Sequence, residues 1–108
     1  MLIKITDINE PGSPYDGMQA RDIYLRHGND IIGLHAIGYD NSTWIEEAID
    51  GTRTQKQGFS AMEQWGNKYD NEHNMLGRGS FRVFEPIENL AKKFEDDGWI
   101  IYEGPTKK

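Results

Sequence analysis

By residue type, the stretch best equipped for chemistry is Leu76-Gly-Arg-Gly-Ser-Phe-Arg82. Its glycines leave backbone N–H groups bare, and Arg78 and Arg82 add forked cations. That combination can cradle a phosphate or a carboxylate. The stretch is not a P-loop, because it lacks the Lys-Ser/Thr pair and leads into a strand pattern. Just upstream, Phe59, Trp65 and Tyr69, with Phe81 after them, interleave with Lys and Arg. Exposed aromatics beside bases are how nucleotide rings are stacked. Trp65, Tyr69, Arg78, Gly79, Ser80 and Arg82 therefore form one candidate site, for a nucleotide-like anion. The plainer readings are a flexible turn and buried aromatics.

The histidines offer less. His27 falls in a turn, His35 in a strand pattern, and Glu72-His73 in a polar stretch. No His-x-x-x-His or Glu-x-x-His spacing supports a metal centre, so neither metal nor cofactor is expected. His73 is the residue a small hydrolase would use. Ser13, Ser42, Ser60 and Ser80 have no Gly-x-Ser-x-Gly context, and the chain has no cysteine. Thiolate zinc, disulfides and cysteine nucleophiles are excluded, and no catalysis is expected.

Charge is more informative than any motif. The chain carries 18 acids against 12 bases, a net charge of -6. From His27 to Thr52 there is no Lys or Arg, while Asp30, Asp40, Glu46, Glu47 and Asp50 are all acidic. Glu95, Asp96, Asp97 and Glu103 repeat this near the end. If both acidic segments met, they would form a face that steers toward basic partners and repels phosphates. Direct nucleic-acid binding is not expected on that ground.

The elements that must position these residues begin with a strand over 2–8 and a turn-rich break, Glu10-Pro-Gly-Ser-Pro14. Strands are predicted over 18–26 and 31–38, joined by the hairpin turn His27-Gly-Asn-Asp30. Thr43 with Glu46 matches a capping box, with Gly51 as the stop, so a helix is predicted over 44–50. Ser60 with Glu63 starts a second, with Met62, Trp65 and Tyr69 at helical spacing. Residues 70–80 read as a loop. Phe81 to Glu103 reads as strand, helix, strand. Its helix has an apolar stripe of Ile87, Leu90, Ala91 and Phe94, Pro86 at its start, and Gly98 as its stop.

The expectation is one α+β domain over 1–105, with a tail at 106–108. Its largely antiparallel sheet would hold about five strands, with two or three helices. No apolar run reaches the roughly 18 residues of a membrane span. The start, Met1-Leu-Ile-Lys-Ile-Thr-Asp, lacks a signal-peptide pattern, so a cytoplasmic protein is expected. The leading functional expectation is a small acidic interaction protein of the phage host-takeover or anti-defence type. It would block a basic site on a protein partner with Asp40, Glu46, Glu47, Asp50, Glu95, Asp96 and Asp97. The alternative is the nucleotide-like anion module above. A strand such as Trp99–Tyr102, if left at a sheet edge, could pair with a second copy.

Overall fold

The computed structural model describes residues 2–81 and 85–105. In chain order they form β1 (Lys4–Asp7), β2 (Gln19–His27), β3 (Asp30–Glu47), β4 (Arg53–Tyr69), β5 (Met75–Phe81), α1 (Ile87–Asp96) and β6 (Ile100–Tyr102). The strands make one sheet in the order β1-β2-β3-β4-β5. Every pairing is antiparallel. β6 lies end to end with β1 along the outer edge of β2, with β1 on Gln19–Asp22 and β6 on Tyr24–Arg26.

This corrects the expected α+β class. Among the described residues there is one short helix, not two or three. Residues 44–47 belong to β3, and the residues predicted to form the second helix belong to β4. Ser60 is therefore a strand residue facing Tyr39, not a cap. Gly51 sits at φ 86 in a tight turn, where its N–H donates to the Ala48 carbonyl and Ala48 N–H donates to that of Thr52. A glycine that could stop a helix instead closes a three-residue hairpin. The expected loop over 70–80 contains β5. A matching turn precedes it, with Asp70 N–H on Asn74, His73 N–H on Asp70, and His73 at φ 64.

The rest follows local chemistry. Gly28, at φ 61, and Asn29 make the two-residue turn that sets the β2–β3 register. Asp97 and Gly98 end α1: Gly98 N–H donates to Glu95, Trp99 N–H to Phe94, and Gly98 lies at φ 96. This is a Schellman stop with its usual apolar contact, here Phe94 edge-on to Trp99 at 5.4 Å. The helix lays Ile87 and Ala91 on Ile23, Leu25, Leu34 and Ala36, and these six form the core. Leu90 and Phe94 flank it. One face of the sheet thus carries α1, and the other carries no helix. Residues 82–84, the last part of the predicted strand before α1, and the predicted tail at 106–108 lie outside the described residues.

Candidate functional site

The β3–β4 hairpin outruns the rest of the sheet. β2 pairs with β3 only as far as Gly38, and β5 pairs with β4 only from Gln64. Beyond those points, among the described residues, the two strands pair with each other alone. At roughly 3.3 Å per residue, the arm from Tyr39 to Glu47 is about 30 Å long. The radius of gyration reflects it: 15.5 Å, against about 13 Å for a compact chain of this size.

Two irregularities in the β3–β4 register lie at its root. Ile37 faces Glu63 while Gly38 faces Ala61, leaving Met62 as an extra residue. A second shift, between Tyr39 and Ser42, holds Asn41 at φ 58. Bulges bend and twist the strand that carries them. Where the arm meets the start of α1, Trp44, Ile45, Glu46, Phe59, Ala61 and Pro86 enclose a cleft of about 470 Å³.

The arm's side chains are bare and mixed. Ile45 is 66% exposed and Ile49, at the tip, 110%. Tyr39 and Trp44 are also exposed. Four of the predicted acids sit here. Asp40 reaches Arg21 at 3.8 Å, and Glu47 reaches Arg53 at 3.9 Å. Glu46 accepts a bond from the Trp44 indole. Asp50 caps the tip by accepting from Thr52 N–H, and the Thr52 hydroxyl and N–H hold its carboxyl below the usual range. Glu95, Asp96 and Asp97 lie elsewhere. They end α1 beside Gly98, which packs near His27 at the opposite end of β3. The two acidic segments do not form one face.

The second predicted site is divided between the two faces of the sheet. Trp65, Tyr69 and Arg78 share the helix-free face, and Ser80 stands opposite Trp65 in register. Gly79 pairs with Gly66 on the helix side. Arg82 lies outside the described residues. The Arg78 guanidinium sits 5.0 Å over the Trp65 ring, whose other neighbour is His35, stacked at 5.5 Å.

His35 belongs to a network that motif reasoning missed. Asp22 faces it across the β2–β3 hairpin, and His35 Nδ1–H donates to the Asp22 carboxylate at 2.6 Å. Nε2 lies 3.5 Å from the Tyr69 hydroxyl, and Asn67 Nδ2 donates to the same hydroxyl at 3.0 Å. His35 is only 7% exposed. The network joins β2, β3 and β4. His73 Nε2 instead bonds the Tyr102 hydroxyl at 2.7 Å, tying the β4–β5 turn to β6. Among the described residues no three His, Asp or Glu side chains gather as a metal site, and no helix is long and apolar enough to cross a membrane.

Tyr24 lies against this network, and its phenol is pushed up to about 12, first by burial, then by the Asp22 charge and the neighbouring Tyr69 and Tyr102. Below pH 10 it is protonated in folded and unfolded chains alike. Between 10 and about 12 the unfolded chain releases the proton while the folded chain holds it, so stability falls as pH rises. Tyr24→Phe is expected to flatten that alkaline decline. Denaturant midpoints on either side of pH 10 measure it, and an unchanged decline would assign it to another group.

No protein-family model, curated protein or solved structure matches this chain.

Proposed function

We propose that this protein is a non-catalytic interaction module whose β3–β4 arm docks on a protein partner. The partner offers an apolar groove bordered by Lys or Arg, and occupancy by the arm blocks that basic site. One observation carries the reading: a two-stranded arm projects from the sheet with Ile45 and Ile49 bare and Trp44 partly exposed.

A lone two-stranded hairpin is marginal in water, and large apolar side chains clustered on a projection mark interaction surfaces. Burying each would contribute about 1.5–3 kcal/mol. The arm's exposed ion pair, Glu47 with Arg53, is worth roughly 0–1 kcal/mol and gives way easily to a partner's cation. Asp40, Glu46, Glu47 and Asp50 raise the encounter rate with a basic surface. Glu95, Asp96 and Asp97 are too far from the arm to share the contact.

The test is capture of a partner by the tagged protein from a lysate of the cells it comes from, eluted with salt. A triple arm variant, Trp44→Ser with Ile45→Ser and Ile49→Ser, should lose capture by at least about a hundredfold, with no loss of thermal stability. Glu46→Lys with Glu47→Lys should slow association about tenfold and weaken its salt dependence. Equal capture by the triple variant would sink the arm as the contact element.

A further inference from the structure

Among the described residues the helix packs on β2 and β3 but not on β5 or the Gly66–Lys68 part of β4 on the same side. There, Gly66 faces Gly79 and Lys68 faces Gly77 across the two strands. With Ile32 and Phe94 as walls, they bound a groove of about 460 Å³, which lies within the size of small-ligand sites. Its floor is exposed peptide backbone.

Glycine inside a strand weakens it, and often marks a place where a ligand or another backbone comes close. Elsewhere in this chain glycines answer to the fold. Gly28 and Gly51 have positive φ, while Gly33 and Gly38 have neighbours where a Cβ would stand. Gly77 and Gly79 have neither reason: φ is not in the left-handed region, and a Cβ would meet nothing within 4 Å. What they leave is a flat, open floor. Among the described residues the groove's lining includes Lys68 and Arg78 and no acid, in a chain of net charge -6. Arg78 turns its guanidinium to the other face, over Trp65, so Lys68 is the cation on this side.

We propose that this groove binds a planar aromatic ring carrying one negative charge. The ring lies on the peptide planes of Gly66, Gly77 and Gly79, Phe94 meets its edge, and Lys68 pairs with the anionic group. The site is on the sheet body, apart from the arm, and does not depend on the arm's role.

Anilinonaphthalene sulfonate, an anion whose flat naphthalene ring can lie on the floor and which brightens in apolar sites, is the probe. The wild-type protein should bind it saturably with a rise in fluorescence. Gly79→Leu adds a side chain to the floor at a position where a Cβ meets nothing within 4 Å, and should weaken binding by about tenfold or more. Gly77→Val is the second plug if the first does not fold. Lys68→Gln should weaken binding about threefold and remove its salt dependence. The arm triple variant should bind the dye as wild type does. No binding by the wild type, or binding that survives both plugs, overturns the proposal. It is also overturned if the wild type is a dimer that Gly79→Leu converts to monomer, because the floor would then hold a second copy.

Discussion

Gly38→Ala is expected to destabilise this protein by about 3 kcal/mol or more, the largest effect of any single added methyl group. Gly38 sits at the bulge where the arm leaves the sheet, and β4 crosses it closely. A Cβ there would lie inside the Ser60 carbonyl oxygen's contact distance and 2.6 Å from Ala61 Cα. Both obstacles are backbone, so no rotamer change relieves the clash. The chain must straighten the bulge or change the β3–β4 register. A register slip of one residue would turn the arm's side chains to the opposite face. Gly33→Ala is the useful contrast, since the nearest atoms there belong to the His35, Tyr24 and Tyr69 side chains, which can move. Denaturant midpoints of the two variants measure the difference. If Gly38→Ala unfolds at the wild-type midpoint, the arm root is softer than its geometry implies.

The same bulge helps explain why this half of the chain was the hardest to read. Trp65 and Tyr69 are four apart, a spacing that fits one face of a helix and also one face of a strand. Ser60-x-x-Glu63 and Thr43-x-x-Glu46 satisfy a local capping rule, but the pairing of 39–47 with 53–60 is non-local and outweighs it. Gly66 within the predicted second helix, and its flanking β-formers, were the signals pointing the other way.

By contrast, α1 rests on cues that all act within one helix: its stripe, Pro86 and Gly98. The β2–β3 hairpin was equally legible. Once Gly28 and Asn29 are the turn, counting back along both strands puts Asp22 opposite His35. The polar network was therefore within reach of the sequence, though no motif names it. Trp65, Tyr69 and Arg78 did converge, but on a strand face rather than a helix and turn. Gly79, adjacent to Arg78, necessarily points to the other side. The acidic segments separated for a related reason. An 18-residue strand carries its two ends far apart, and charge spacing along a sequence holds no information about that.

Leu34→Ala and Ile49→Ser should divide the chain's large apolar residues into two kinds. Leu34 is fully buried among Ile23, Leu25, Ala36, Ile87 and Ala91, beneath the helix. Truncating it removes burial and leaves a cavity, at an expected cost of about 3 kcal/mol. The core is small, and a domain of this size has a total stability of only about 5–15 kcal/mol. That one substitution would therefore remove a large share, and its denaturant midpoint should drop accordingly. Ile49 has a full side chain in water at the arm's tip. Ile49→Ser should change stability by less than about 0.5 kcal/mol, as surface substitutions do. Yet it should weaken partner capture by about tenfold, because the serine gives up the burial that docking would have gained. Stability and binding then move independently, as expected of a folded body that presents a separate contact element. If Ile49→Ser lowers the midpoint as much as Leu34→Ala, the tip packs against the protein itself in solution, and the arm is part of the fold rather than its reach toward a partner.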